Sequence, residues 1–263
     1  MMRPLIALGL ILILGLPAAA RTAEVWTPLE AGLDLARFDS RTGELADEGD
    51  LVVVRVDPAR FDLRLLTPNQ TEAESGLTAR DWCREHSLLL AVNAGMYQAD
   101  HRTHVGYCKV DGQVVNSFAN DYLSAAAFGP FDPEDPPFRI FDLDETTLGE
   151  VSARYRTVVQ NLRLIKRAGE NRWQKSGDAW REAALGEDWK GRVLFIYCDR
   201  PQTMFEFNRT LLALPIGLVA AQHLEGRGPA RLWVNHPKVV GESLPGALIP
   251  GGRLPNVLGV ARP

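Results

Sequence analysis

The sequence predicts an α+β fold, a mixed α/β arrangement of mainly mixed β-sheet flanked by a few helices, in a single domain. Three observations carry this. The chain has 263 residues, 46% hydrophobic and 24% charged, which is enough apolar material for one sizeable core. Short apolar or alternating runs recur along it, separated by Gly, Pro and polar clusters, as strands and turns require. Two stretches, at Thr78 and Thr203, carry helix-start capping boxes, and no repeat period is visible.

Residues 1–20 stand apart from that domain. Arg3 gives a positive start, Leu5 to Leu16 an apolar core, and Ala18-Ala-Ala20 small residues at a cleavage position. The apolar run is too short to span a bilayer. This predicts a signal peptide cut after Ala20, leaving residues 21–263 as the domain, with its core over about 50–260. No stable membrane span then remains, and the mature protein is expected in the periplasm or secreted. Net charge is −4 with no basic run, which argues against a nucleic-acid partner. Export implies an oxidising compartment. Yet the cysteines are Cys83, Cys108 and Cys198, an odd set with no CxxC spacing. Cys108 and Cys198 lie in apolar runs and read as buried thiols.

The elements follow in order. Glu24 to Leu35 reads as a first strand beginning near Trp26, and the polar, Gly-bearing stretch Arg41 to Asp50 as a turn. Leu51 to Val56 and Phe61 to Leu66 are strands, with Pro58 between them, and read as a hairpin. Thr67 to Gly76 is a polar loop. Thr78 and Asp81 can cap each other's backbone, with Leu77 and Trp82 as a hydrophobic staple, so a helix starts there and ends near His86. Leu88 to Val92 is a continuous apolar run, a buried strand ending on Asn93 and Gly95. Asp111-Gly112 is a hairpin turn. Ser124 to Phe128 and Phe138 to Asp142 are strands around a Pro-rich acidic loop. Tyr155 to Leu164 is a strand broken by Gln160-Asn161. Asn171 to Asp178 is a turn region. Ala183 to Leu185 and Arg192 to Cys198 are strands. Thr203 and Glu206 form a second capping box, and Met204, Phe207 and Leu211 fall at helical spacing, so a helix runs from Met204 to Ala213 and stops before Pro215. Gly217 to Gln222 and Arg231 to Val234 are strands, and Val257 to Val260 adds an edge strand.

Four polar clusters interrupt or end these apolar runs: Asn93 to Tyr97, Gln160 to Arg163, Trp180 to Glu182, and Gln222 to Gly228. Each alone is as well explained by a turn or an ion pair. Four on one chain point to a ligand site at strand ends. His101-x-x-His104 beside Asp100 offers a weaker metal alternative, because a third ligand is not evident. Asn69-Gln-Thr71 and Asn208-Arg-Thr210 match the glycosylation triplet.

The ordered set resembles the phosphodiester glycosidase domain family. That domain occurs in the lysosomal enzyme that removes N-acetylglucosamine from a sugar phosphodiester, and in many bacterial exported proteins. Asn93-Ala-Gly-Met-Tyr97 with Val105-Gly-Tyr107 and Asp111-Gly112 is similar to its opening block. Gln160 matches the start of a Gln-Ser-Gly-Pro-like block, from which Asn161-Leu-Arg163 departs. Arg181 to Gly186 fits an Arg followed by a small, Gly-ending strand. Leu224-Glu-Gly-Arg-Gly-Pro-Ala230 stands where the family has Leu-Asp-Gly-Gly-Gly-Ser-Ala. Glu225 keeps the carboxylate on a longer stem, and Pro229 removes a hydroxyl and a backbone donor.

The resemblance implies a hydrolase, without a cofactor, acting on a sugar phosphate or phosphoglycan. Only Glu225 is a well-placed carboxylate, whereas a glycosidase ordinarily needs two. A phosphate ester is already a stable leaving anion and needs little protonation. Arg181 and Arg163 are expected to bind that phosphate, His223 to act as acid or base, and Glu225 to activate water or attack directly. Asn93, Gly95, Gly106, Gln160, Asn161 and Gly226 are expected to shape the substrate site. The alternative is a non-catalytic envelope protein that binds a glycan or phosphoglycan in the same cleft, which the Glu225 and Pro229 departures favour.

The first expectation concerns export. Intact-mass analysis of protein recovered from the periplasm or medium should give a chain beginning at Arg21, and one retaining Met1 would overturn the leader assignment.

Overall fold

The computed structural model describes residues 25–73, 76–175, 177–239 and 252–263, so the leader expected over residues 1–20 lies outside the described residues. In chain order the strands and helices begin with β1 (Thr27–Glu30), β2 (Leu33–Phe38), β3 (Leu51–Val56) and β4 (Asp62–Leu66). Helix α1 (Ala79–Glu85) leads into β5 (Leu90–Asn93), β6 (Cys108–Val110), β7 (Gln113–Asn116), β8 (Ser124–Pro130) and β9 (Phe138–Asp142). Helix α2 (Leu148–Arg154) precedes β10 (Tyr155–Asn161), β11 (Arg163–Lys166), β12 (Glu170–Asn171), β13 (Trp180–Asp188) and β14 (Val193–Gln202). Helix α3 (Met204–Ala213) is followed by β15 (Leu218–Gly226), β16 (Leu232–Val234) and β17 (Val257–Ala261).

The strands make three sheets, ordered β1-β2-β3-β14-β13-β15-β11-β12, β7-β6-β10-β8-β9 and β16-β5-β17-β4. The fold is the α+β class expected from the sequence, a single domain. The pairings among these strands are antiparallel, which narrows the mixed sheet anticipated.

Alternation along the strands explains how the sheets stack. In β14, Phe195 and Tyr197 point one way, and Leu194, Ile196 and Cys198 the other. The first set meets Val92, Leu232 and Leu258 of the four-stranded sheet, and Ala126, Ile140 and Val159 of the five-stranded sheet. The second set lies under α3, through Met204, Phe207 and Leu211. Helix α1 covers the outer face of the four-stranded sheet with Trp82 and Cys83, and α2 covers the five-stranded sheet with Val151. Each helix thus closes a sheet face that water would otherwise reach. Trp82 is fully buried, and its indole N–H finds the Leu254 carbonyl at 2.9 Å.

Several local readings change. Glu24 to Leu35 is not one strand, because Gly32 turns at φ +90° and splits it into the β1–β2 hairpin. β3 and β4 do not pair. β3 lies between β2 and β14, where all its residues are matched, and β4 crosses to pair with β17. β17 is interior rather than an edge, held between β5 and β4. Gly259 makes that possible, since a Cβ there would come within 2.5 Å of Leu88 Cδ1 and 3.2 Å of the Leu90 carbonyl oxygen. Helix α2 was not anticipated. Its Thr147–Glu150 capping box is complete, but only Val151 is buried, so no apolar period announces it.

The three cysteines are buried and unpaired. Burial pushes the Cys108 thiol up to about 12 and the Cys198 thiol to about 11. Asn208 is buried within α3, where its amide donates to the Leu164 carbonyl at 2.7 Å, so its glycosylation triplet is closed to modification in the folded state. No helix among the described residues is long and apolar enough to cross a membrane.

The α3 cap offers a direct measurement. Thr203 Oγ1 accepts from the Glu206 N–H at 3.2 Å, while the Glu206 carboxylate accepts from the Thr203 N–H at 3.2 Å. Thr203→Ala should lower unfolding free energy by about 1 kcal/mol. A urea midpoint unchanged from wild type would show that the cap contributes nothing.

Candidate functional site

The site is set by the pairing of β13 with β15. A bulge between Ala183 and Ala184 places Glu225 opposite Ala183 and His223 opposite Ala184. Ala183 faces the inner core with Tyr197, and Ala184 faces the outer core with Ile196 and Cys198. Paired residues share a face. Glu225 therefore points inward, between the sheets, and His223 points outward. This corrects the expectation that both reach one cleft.

On the inner face, Glu225, Ala183 and Tyr197 form a cross-strand row. Two strand spacings separate the ends of this row, about 10 Å. Glu225 is half-buried, and its Oε1 accepts from the Gly226 N–H at 3.0 Å. Burial raises its carboxyl above the ordinary value, only partly offset by that N–H and by His223. Tyr97 and Tyr122 are close to it. Burial and then the Glu225 carboxylate raise the Tyr97 phenol, and burial, then Asp121 and Glu225, raise that of Tyr122.

At the other end of the row, the Tyr197 hydroxyl donates to Asp199 Oδ1 at 2.9 Å. Arg181 Nε lies 2.9 Å from the same oxygen, though out of line for a hydrogen bond. Arg231 joins this group from the loop before β16. It is 8% exposed, and its Nη1 donates to its neighbour's carbonyl, Ala230 O, at 2.6 Å. Burial lowers its pKa, and the Arg181 charge lowers it further. The Arg231 backbone N–H donates to Asn93 Oδ1 at 3.1 Å, tying this end of the face to the end of β5.

The remaining motif residues shape the surroundings. Asn161 Nδ2 donates to the Ala94 carbonyl at 3.0 Å. Gly95 stands at φ +143°, and a Cβ there would fall 2.2 Å from Asn161 Oδ1 and 2.5 Å from His104 Cε1. Gln160 is a clasp. Its Nε2 donates to the Asn120 and Tyr122 carbonyls at 2.9 and 2.8 Å, and its Oε1 accepts from the Tyr107 and Asn120 N–H groups, both at 3.2 Å. It thereby fixes the loop that brings Tyr122 beside Glu225. Gly106 allows the close approach of Gln160, whose carbonyl oxygen a Cβ would meet at 3.0 Å. Gly226 does the same for Trp180, whose ring a Cβ would meet at 2.4 Å.

Two expected residues have other partners. Arg163 Nη1 lies 2.9 Å from Asp144 and 3.3 Å from Asp142, in an ionic network continued by Lys166 and Glu145. Its charge is neutralised there without a phosphate. His223 Nδ1 contacts Glu182, which also accepts from the Trp180 indole N–H at 2.7 Å. This pair is almost wholly buried. Burial alone would lower the His223 pKa, but the Glu182 carboxylate outweighs it and the net shift is upward. His104 is also buried. Its Nε2 is 2.8 Å from the Gln160 carbonyl, which can only accept, so Nε2 carries the proton. His101 is exposed, with its ring 5.4 Å from that of Tyr97. Among the described residues, no three His, Cys, Asp or Glu side chains gather as metal ligands would.

Arg231, Tyr197 and Asp199 were not singled out from sequence, and Glu182 was noted only as part of a polar cluster. A cavity of about 450 Å³ beside β4, lined in part by Phe61, Arg64, Phe128 and Arg156, includes none of the residues above.

The phosphodiester glycosidase family matches residues 86–261. Among solved structures, the zebrafish N-acetylglucosamine-1-phosphodiester alpha-N-acetylglucosaminidase catalytic domain, auto-inhibited by its pro-peptide, is similar at TM-score 0.60 and 16% identity. The match covers 92% of this chain and 85% of that one. A hypothetical protein from Synechocystis is similar at TM-score 0.57 and 13% identity, over 80% of this chain and 58% of that one. A comparison with curated proteins finds no match.

The His223–Glu182 pair makes stability depend on pH. His223 has a folded pKa above its ordinary 6.5, so its contribution is complete below that value and is lost as pH rises through the folded pKa. Urea midpoints measured across this range should fall for wild type and flatten in Glu182→Gln. An unchanged slope in the variant would remove the pair as the cause.

Proposed function

The chain belongs to the phosphodiester glycosidase family, and we propose that it is an exported hydrolase that cleaves the glycosidic bond between a sugar and phosphate in a phosphodiester. The observation that carries this reading is the inner-face row, with a carboxyl at one end and a phenol–carboxylate–guanidinium group at the other. Ala183 between them is small and fully buried. It leaves a floor about one sugar ring wide between the acid and the cation.

The chemistry then divides along the row. Glu225 accepts a proton from water as the water oxygen bonds to the anomeric carbon. The bond from that carbon to the phosphate oxygen breaks, and its electron pair leaves with the phosphate. Arg181 offsets the charge that grows there. Burial holds the Glu225 carboxyl above its ordinary value, nearer to working pH, which suits a base. Buried on the outer face, His223 acts through its charge, lowering the Glu225 pKa through the sheet. Tyr97 and Tyr122 border the carboxyl, and Asn93, Gly95, Gly106, Gln160 and Asn161 hold the walls. No second carboxyl is required, because the leaving phosphate is stable without a proton.

A non-catalytic envelope protein that binds the same ligand is the second reading. It is favoured by Pro229, which supplies neither hydroxyl nor N–H where the family has Ser.

Turnover of a chromogenic sugar phosphodiester by purified protein separates the two. Wild type should turn it over, with kcat/KM rising as pH passes upward through a value above 4.5, the ordinary carboxyl value. Glu225→Gln should lower kcat by about 10²-fold or more and leave KM within about threefold. Binding without turnover in wild type would leave the second reading in place of the first.

A further inference from the structure

Arg231 is a buried charge without an ionic partner among the described residues. Arginine is rarely so buried unless it is paired. Here the residue is 8% exposed, its Nε has no acceptor, and no carboxylate among the described residues lies within ion-pair distance of it. The acid whose charge reaches it, Asp199, is already shared by the Tyr197 hydroxyl and Arg181. Arg181 Nε is likewise buried without an aligned acceptor. Arg231 thus carries a buried charge without an ionic partner, within electrostatic reach of the Arg181–Asp199 pair, and the Nε–H donors of both arginines are unused. Water can satisfy the donors but not the charge, and a buried unpaired cation is costly.

We propose that the buried Arg231 and the half-buried Arg181 form an anion site that takes the phosphoryl group of the ligand, with Arg231 as its anchor. The two cations and Asp199 leave one positive charge over, which a diester phosphate, a monoanion, neutralises. The forked donors of arginine fit its two free oxygens. Tyr197 and Asp199 hold Arg181 in place. The Asn93 side chain, through the Arg231 backbone, fixes the anchor against β5. The assignment of the anion as a sugar phosphodiester rests on the hydrolase reading. The anion site itself rests on the charges.

The test uses the full mature chain and inorganic phosphate at constant ionic strength. In protein carrying ¹⁵N-arginine, the Nε–H resonance of Arg231, identified by its loss in Arg231→Lys, should shift saturably as phosphate is added. Phosphate Kd should rise about tenfold or more in Arg231→Gln and in Arg231→Lys, the latter keeping the charge but not the fork. Arg156→Gln, an exposed arginine beside Phe131, should bind as wild type does. A resonance that phosphate does not move overturns the proposal, and this holds even if Arg231→Gln fails to fold. Unchanged affinity in Arg231→Lys overturns it as well. Phosphate binding at Arg231 without diester turnover keeps the anion site and removes the hydrolase reading. Diester turnover with the same KM in Arg231→Lys keeps the hydrolase and removes the anchor.

Discussion

A sheet covered on both faces has no side to give to water. The eight-stranded sheet is such a sheet, with two other sheets on its inner face and α3 on its outer face. Polar side chains within it must sit at strand ends or irregularities, or find a buried partner. That constraint locates nearly every polar group described above. Glu225 stands where β15 runs out beside Gly226, Arg181 near the start of β13, and Asp199 where β14 leaves the core. His223 and Glu182 are deeper and have each other. The bulge at Ala183–Ala184 decides which side chains of β15 turn inward, between the sheets.

The two arginine clusters show how the same residue type serves different ends. Arg163 meets two aspartates, and its neighbours Lys166 and Arg167 meet Glu145 and Glu187. Glu187 also accepts from the Ile140 N–H at 2.8 Å, so this network joins β9 to β13 and β11. Its charges are answered within the protein, and such a network serves cohesion. Around Arg231 the count of charges does not close. Sequence cannot distinguish the two, since both are arginines beside apolar runs. The difference is which acids the fold brings across.

The elements legible in the sequence are those with local causes. Helix α3 begins and ends where its capping box and Pro215 require. α1 likewise follows from Thr78 and Asp81. β3, β8 and β9 are apolar or alternating runs between turn residues. Pairing was less legible. Nothing near Leu51–Val56 tells it to choose Val193–Cys198 over the strand that follows, because the preference arises from burial on two faces at once. Within the site, Glu225 and Arg181 stood out because each lies beside glycine or small residues at a strand end. Arg231 did not, because what surrounds it, from Asn93 to Tyr197, is far away in sequence. The facing of His223 was hidden for a similar reason. Alternation along one strand cannot reveal a bulge that exists only relative to its partner.

The buried thiols carry a consequence for the protein's lifetime. Cys83, Cys108 and Cys198 are inert in the native state, since burial keeps them protonated and out of reach. An oxidising environment does not act on them while the chain is folded. Once it unfolds, three thiols become available in one flexible chain, and any pair that joins is a pair the native structure keeps apart. Were the chain exported as proposed, unfolding there would be a one-way event, and its working lifetime would be governed by how seldom it opens, a matter of barrier height, more than by the free-energy difference between its folded and unfolded states.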